Sequence, residues 1–278
     1  MPGTTLLNGQ EIEPGLSADR AFHFGDGLFE TLAVVEGLPC LWKQHIRRLR
    51  HGCERLDMNL PDPEKLLEDA KRLTRDCSKG VLKLIVSAGP ATQGYAREKS
   101  GGLTCWMQIS SWPTAPHYQE PLPLTLQWCE LRLAEQPRLA GLKHLNRLEQ
   151  VLARSELSDL VQEGLVCDHS GHVVEGVAAN LLLKLEGRYV TPAISRCGIA
   201  GIVRRLILDE AARQDIDIEV TSVTTAQVEK AERLFLTSSL LGIRPVRQLG
   251  KHQYAHTGLG DDFLERLNSA CFTFEGAA

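Results

Sequence analysis

A dense group of prolines divides this chain into two parts, and each part carries strand and helix patterns of its own. Four of the thirteen prolines fall within residues 113–123, which a regular strand or helix is not expected to cross. The chain has 278 residues, which suits two domains at roughly 100–200 residues each. We therefore predict an α+β chain with a smaller α/β domain over 1–115, a linker over 116–123 and a larger α/β domain over 124–278.

Hydrophobic periodicity assigns the elements within each part. The first part is expected to hold a hairpin, two helices and two strands, at 29–42, 43–56, 63–75, 81–87 and 103–109. The second part is expected to hold five strands, at 124–131, 173–185, 188–191, 217–220 and 234–237, and two helices, at 145–162 and 202–214. The helix over 145–162 is the longest pattern. One side of it would be apolar, with Leu145, Leu148, Val151, Leu152 and Ala153 on or near it.

Charge and cysteine content narrow the class of protein. Thirty-one Lys plus Arg against 35 Asp plus Glu give a net charge of −4, which argues against a dedicated nucleic-acid binder. The eight cysteines form no Cys-x-x-Cys pair and have no neighbouring His pair, so no metal site is expected. No signal peptide is expected, and no apolar run approaches the roughly 18 residues that span a bilayer. We therefore predict a cytoplasmic protein that binds no membrane.

Three segments carry side chains suited to chemistry, and each also has an ordinary structural explanation. Gly25-Asp26-Gly27 fits either a hairpin turn capped by Asp26 or a close backbone approach to a ligand. Arg48 lies one helical turn after His45, so it is either an anion-binding fork or part of a solvated helix face. Lys143 follows several apolar residues. It is either a desolvated, Schiff-base-forming lysine of lowered pKa or a lysine that snorkels to solvent.

Two further segments could hold a ligand in the second part. Glu175 and Asn180 interrupt an apolar stretch, and a buried carboxylate there needs a protonated ring nitrogen, an arginine or a backbone cap as partner. Gly198 to Gly201 precedes a predicted helix, whose free N–H groups would suit a phosphate. The same glycines also fit an ordinary loop-to-helix junction.

In this order and spacing, the segments resemble the fold-type IV pyridoxal-phosphate enzymes over nearly the whole chain. The resemblance is carried by Asp19-Arg20, Gly25-Asp-Gly27, His45-x-x-Arg48-Leu49, Lys143, Glu175 with Asn180, and Gly201-Ile-Val-Arg204. That family includes branched-chain aminotransferases, D-amino-acid aminotransferases and 4-amino-4-deoxychorismate lyases. It implies a two-domain fold like that of the D-amino-acid aminotransferases, and pyridoxal 5'-phosphate as cofactor.

The segment around Lys143 is similar to the lyase form of the family. It reads Leu139-Ala-Gly-Leu-Lys-His-Leu-Asn-Arg-Leu-Glu-Gln150, and Leu148 stands about where branched-chain aminotransferases carry a tyrosine. This similarity implies the conversion of 4-amino-4-deoxychorismate to 4-aminobenzoate and pyruvate, a step of folate biosynthesis. The alternative is an aminotransferase of the same fold that acts on D- or branched-chain amino acids.

The resemblance also implies roles for single residues. Lys143 matches the lysine that forms a Schiff base with the cofactor and then acts as the catalytic base. Glu175 matches the carboxylate that keeps the pyridine nitrogen protonated, and Asn180 matches a neighbouring cofactor-site residue. The family implies a homodimer in which the second subunit completes the cleft between the domains.

Phosphate ligands are implied at four further positions. Arg48 matches a phosphate-binding arginine, and Ile202 and Val203 match residues whose backbone amides hold the phosphate at a helix start. Ser239 lies near a hydroxyl ligand that some relatives use.

The chain departs from the family where the substrate carboxylates are expected to bind. Ala88 and Gln93 stand where many lyase relatives carry arginines. Three other arginines lie near the implied site: Arg97, Arg138 and Arg244. We expect Arg97 to bind substrate, with Tyr95 beside it, because its loop can fold over the cleft; a solvated loop arginine is the alternative.

Overall fold

A computed structural model describes residues 5–12, 15–90, 94–97 and 102–275. Gln93, one of the two positions of departure, lies outside these residues. The described strands form a four-stranded sheet, a ten-stranded sheet and a small hairpin. The hairpin comes first, and a 3-10 helix (Gly15–Ala18) and a short α-helix follow it; these elements are β1 (Thr5–Leu7), β2 (Gln10–Ile12) and α1 (Arg20–Phe24).

The smaller sheet belongs to the first part of the chain and packs against two helices. Its elements are β3 (Gly27–Val35), β4 (Leu38–Pro39), α2 (Trp42–Arg55), α3 (Pro63–Thr74), β5 (Lys79–Ser87) and β6 (Thr104–Ser111). The strands are antiparallel in the order β4-β3-β5-β6. Ile46, Leu49 and Cys53 bury the apolar side of α2, and Asp62 caps α3 by accepting the N–H of Glu64 at 3.0 Å.

The larger sheet belongs to the second part and is mixed. Its strands are β7 (Leu124–Leu133), β8 (Glu163–Asp168), β9 (His172–Gly176), β10 (Asn180–Leu185), β11 (Arg188–Pro192), β12 (Ile218–Thr221), β13 (Val223–Thr224), β14 (Arg233–Ser238), β15 (Gly242–Leu249) and β16 (His252–Gln253). Their order is β12-β11-β10-β14-β15-β7-β8-β9-β13, and β16 pairs with β15. The accompanying helices are α4 (Pro116–Gln119), α5 (Leu148–Ser155), α6 (Ile202–Arg213), α7 (Thr225–Lys230) and α8 (Asp262–Ala270). The predicted mixture of strands and helices in both parts is confirmed.

The long helix predicted over 145–162 is wrong in extent, because α5 covers only Leu148–Ser155. Before α5, the chain is not helical, and the N–H of Leu145 donates to the carbonyl of Gly27 at 3.0 Å. At the end of α5, the C-cap residue Glu156 accepts the N–H of Leu131 in β7 with its carboxylate, at 3.0 Å. The side expected to be buried is largely exposed, at Leu148, Val151 and Leu152.

The single strand predicted over 173–185 is also wrong, since β9 and β10 are separate strands. The chain reverses between them, and the N–H of Gly176 donates to the carbonyl of Ala179 at 2.6 Å. This reversal brings Glu175 and Asn180 side by side. Similarly, the segment at Gly25 is not a hairpin turn: Gly25, with φ of 61°, ends α1 before β3 begins.

The proline-rich stretch is not entirely irregular, because it contains α4. The domain division at 116–123 stays a prediction, and Leu142 from the second part packs with Leu28 and Leu49 of the first. All eight cysteines lie in the described part of the chain, as free thiols. None of the described helices has the length and apolar character needed to cross a bilayer.

Candidate active site

A cavity of about 550 Å³ is lined by residues of both parts of the chain. This volume is ordinary for a site that takes a small molecule. Phe29, Thr31 and Arg48 contribute from the smaller sheet and α2. Nearly all the other lining residues belong to the second part and include Lys143, Arg147, Glu175, Asn180, Ile202 and Ser239. The structure thus brings together most of the residues that the sequence singled out.

Lys143 is held by an extended segment that links the two parts of the chain. The carbonyl of Lys143 accepts the N–H of Phe29 in β3 at 3.0 Å. Two residues earlier, Gly141 donates its N–H to the carbonyl of Gly198 at 2.8 Å, and its φ of 83° is one that glycine adopts without strain. The Lys143 ammonium lies 4.2 Å from the centre of the Phe29 ring. The backbone therefore fixes where this amine enters the cavity.

The surroundings of Lys143 make it a more available nucleophile than an ordinary lysine. Burial and the nearby Arg48 cation, against the opposing effect of Glu30, together lower the pKa of Lys143 to about 8. At pH 7 roughly a tenth of such an amine is uncharged. Lys143 can therefore attack an aldehyde near neutral pH, as the Schiff-base interpretation requires.

The covalent uptake of pyridoxal 5'-phosphate by the apo-protein is expected to accelerate about tenfold from pH 6 to 7 and to level off above pH 8. Only the uncharged amine attacks the aldehyde, and the pKa of Lys143 is about 8. Stopped-flow absorbance at several pH values measures this rate. A rate that still climbs tenfold per pH unit beyond pH 9 would mean that the amine titrates near the ordinary lysine pKa of 10.5.

Glu175 offers a buried carboxylate at another position on the cavity wall. Its Oε2 accepts the N–H of Ile199 at 2.8 Å and the side-chain amide of Asn180 at 3.2 Å. Both hydrogen bonds that described residues donate to Glu175 end on Oε2, so Oε1 is the oxygen left for a ligand. Burial raises the pKa of Glu175 to about 7, although the Ile199 N–H and the Arg147 cation oppose this. A protonated ring nitrogen would restore the charge balance of this carboxylate.

The start of α6 faces the same cavity and suits an anion. Gly201 is the N-cap residue and lines the cavity with Ile202. The first N–H groups of a helix have no partner within the helix, and they bind phosphate readily. A Cβ at position 201 would overlap Oδ1 of Asn180, so only glycine leaves the approach open. Val203 packs its side chain into the core, which leaves its backbone amide as the group that could serve a ligand.

Arg48 reaches the cavity from a fixed position. Its Nε donates to Oε1 of Glu30 at 2.8 Å, and its Nη1 donates to the carbonyl of Ala200 at 3.1 Å. Burial opposes ionisation of Glu30, but Arg48 and His45 outweigh it and hold the pKa of Glu30 at about 2. His45 contacts the other oxygen of Glu30, at 2.6 Å. The Arg48 guanidinium is therefore fixed beside the loop that leads into α6.

Arg97 and Tyr95, expected to bind substrate, do not line this cavity. The guanidinium of Arg97 forms a two-point ion pair with Asp26, with Nε at 2.9 Å from Oδ2. Its Nη1 also donates to the carbonyl of Asp57 at 3.2 Å. Tyr95 is exposed and stacks near Phe24, at 5.3 Å between ring centres. The expectation for Arg97 is not met in the cavity of its own chain, because Asp26 already holds the guanidinium.

The other two arginine candidates do not line the cavity either. Arg138 is exposed, and Arg244 is buried in β15. Among the lining residues that the sequence did not single out are Arg147, Gln150 and Arg154. Their spacing of three, four and seven positions could have revealed one helix face, if the start of α5 had been placed correctly.

The family comparison agrees with the geometry. The family model described as amino-transferase class IV matches residues 27–249, which include Lys143, Glu175 and the start of α6. Among curated proteins, the chain is 30% identical over 229 residues to an aminodeoxychorismate lyase of Vibrio harveyi, covering 82% of this chain and 84% of the relative. It is also 23% identical over 253 residues to a D-alanine aminotransferase of Bacillus licheniformis, covering 88% and 87%.

Among solved structures, the chain is similar to a 4-amino-4-deoxychorismate lyase from Pseudomonas aeruginosa. The TM-score is 0.84 at 42% sequence identity, and the match covers 91% of this chain and 93% of that one. The likeness therefore extends over both sheets and the cavity that residues of both parts line.

Proposed function

The chain belongs to the class IV aminotransferase family of fold-type IV pyridoxal-phosphate enzymes, and we propose that it converts 4-amino-4-deoxychorismate to 4-aminobenzoate and pyruvate. The observation that carries the proposal is a nucleophilic Lys143 and a buried Glu175 facing one cavity beside a helix N-terminus. The choice of a lyase within the family follows the relatives that bear this name. The reaction would serve folate biosynthesis.

The residues present fit the cofactor. Lys143 would bind it covalently, and Glu175 would hold its ring nitrogen protonated, with Asn180 fixing the Glu175 carboxylate. The backbone amides of Ile202 and Val203 would hold the phosphate at the start of α6.

Two side chains would assist at the phosphate. Arg48 would supply a positive charge beside those amides, and the hydroxyl of Ser239, which also lines the cavity, would donate a hydrogen bond.

Lys143 would move the protons of the reaction. The bound cofactor withdraws electrons from the substrate carbon that carries the amine, which makes the hydrogen on that carbon acidic. In its uncharged form Lys143 takes this proton, and as the ammonium it returns a proton to the departing enolpyruvyl group. The enolpyruvyl group leaves as pyruvate, and the ring becomes aromatic. The atoms balance without a second substrate, and aromatisation supplies much of the driving force.

The rival function is transamination, because both reactions begin with the same proton removal. A lyase is expected to form 4-aminobenzoate from aminodeoxychorismate and to form little glutamate from D-alanine or a branched-chain amino acid with 2-oxoglutarate. The two products, followed in parallel on one preparation, separate the activities. Rapid glutamate formation without 4-aminobenzoate would establish the aminotransferase instead.

We also propose that the enzyme is a cytoplasmic homodimer. Three leucines in and after α5 are largely exposed, with Leu148, Leu152 and Leu160 at 76%, 57% and 83%. Exposed apolar side chains of this size favour burial against another chain. Light scattering measures the mass in solution, and a stable monomer would contradict the dimer.

A further inference from the structure

One helix face of the cavity contains none of the residues proposed to hold the cofactor. Arg147 at the start of α5 and three residues within it line the cavity: Gln150, Val151 and Arg154. They are spaced as neighbours on one side of a helix. We call these four residues the α5 face. At about 1.5 Å per residue, the α5 face extends roughly 10 Å from Arg147 to Arg154.

Arg147 is a cation without a carboxylate partner in the described part of the chain. Its Nη2 contacts the ring of His144, at 3.0 Å from Nδ1, and its Nε is buried without a partner among the described residues. Burial and the Arg147 cation lower the pKa of His144 to about 4, so the imidazole is uncharged near neutral pH. His144 therefore cannot compensate the charge of Arg147.

Two other half-buried or buried arginines have such a partner, whereas Arg204 and Arg244 have none among the described residues, but neither of those two lines this cavity. Arg20 pairs with Asp26 at 2.7 Å, and Arg48 pairs with Glu30. The side-chain oxygen of Gln150 is also buried without a described partner. On the α5 face, Arg154 donates to the carbonyl of Gln162 at 3.1 Å and pairs with no described carboxylate. A guanidinium that loses part of its hydration without an anion favours binding of one.

We propose that the α5 face is a carboxylate subsite, in which Arg147 binds a carboxylate of the substrate and Arg154 attracts it at the rim. The subsite deepens the proposed function and rests on it for the identity of the substrate, which has two carboxylates. The phosphate of the cofactor is expected at a different place in the cavity, at the start of α6. Arg48 lies at that place, because it donates a hydrogen bond to the carbonyl of Ala200. Val151 adds an apolar contact on the same face, which suits a ring that carries a carboxylate.

The test measures binding of 4-aminobenzoate and of aniline, which lacks the carboxylate, to the cofactor-loaded enzyme by calorimetry. Arg147→Gln is expected to raise the Kd of 4-aminobenzoate about 10- to 100-fold and to leave the Kd of aniline unchanged. Arg154→Gln is expected to raise the Kd of 4-aminobenzoate about 2- to 5-fold. Arg147→Lys keeps the charge and should recover part of the affinity. The matched control is Arg213→Gln, an exposed arginine of α6 that pairs with Glu210 and should bind like wild type.

Two further readouts keep the interpretation unambiguous. The pH midpoint of the visible absorption band of the bound cofactor is expected to be the same in Arg147→Gln and wild type. A shifted midpoint with an unchanged Kd for 4-aminobenzoate would mean that Arg147 serves an oxygen of the cofactor, which overturns the subsite. The subsite would also be overturned if the Kd of 4-aminobenzoate were unchanged in both Arg147→Gln and Arg154→Gln. The same holds if the wild-type enzyme bound 4-aminobenzoate no more tightly than aniline. Turnover is assayed separately, so failure to produce 4-aminobenzoate refutes the proposed reaction rather than the subsite.

Discussion

Replacing Lys143 by alanine is expected to abolish both turnover and the visible absorption band of the bound cofactor. Lys143 supplies the amine that holds the cofactor covalently and the base that moves the substrate proton. Loss of a general base alone costs about 10²- to 10⁴-fold in rate, and loss of the covalent link adds to that. Absorbance spectra and initial rates measured on the same preparation check both effects.

Lys83 provides a matched control for this substitution. It lies on β5 and its ammonium is 5.6 Å from the centre of the same Phe29 ring, but it is exposed and does not line the cavity. Lys83→Ala should keep both the band and the rate. A Lys143→Ala protein that retained the absorption band would place the covalent lysine elsewhere in the chain.

The second large effect is expected from Glu175→Gln, which should keep the cofactor bound but lower turnover about 10²- to 10³-fold. The amide has the shape of the carboxylate, and its oxygen can still accept the N–H of Ile199. It cannot hold a ring nitrogen protonated, so the substrate proton becomes harder to remove. The measurements are the rate at saturating substrate and the cofactor content after dialysis.

Glu163→Gln is the control for burial of a carboxylate. Glu163 is buried like Glu175 and accepts the N–H of Gly164 at 2.9 Å, but it does not line the cavity. Its replacement should change the rate little. If Glu175→Gln turned over at the wild-type rate, Glu175 would have only a structural part in the site.

The positions of Lys143 and Glu175 could be predicted because their signals are local. Each is a charged residue within an apolar segment, and an ordered set of such segments matched a known family. Arg97 could not be predicted in this way, because its ion pair with Asp26 joins residues 71 positions apart. No periodicity in the sequence indicates that contact.

The α5 face was missed for a different physical reason. Apolar spacing alone favoured a helix that begins at Leu145, whereas the hydrogen bonds of the Lys143 segment to β3 keep the chain out of the helix up to Arg147. The shorter helix exposes Leu148 and Leu152 and turns Arg147 and Gln150 toward the cavity. Tertiary hydrogen bonds thus overrode the local pattern at the residues now proposed to bind substrate.

The most direct test of the account is the product ratio from aminodeoxychorismate with the purified, cofactor-loaded protein. We expect 4-aminobenzoate and pyruvate to appear together in equal amounts, without an added oxo acid, and neither to appear with Lys143→Ala. 4-Aminobenzoate can be followed by its fluorescence and pyruvate by a coupled lactate dehydrogenase assay. Substrate that stays unchanged, or an amino group transferred to 2-oxoglutarate without release of pyruvate, would contradict the proposed lyase.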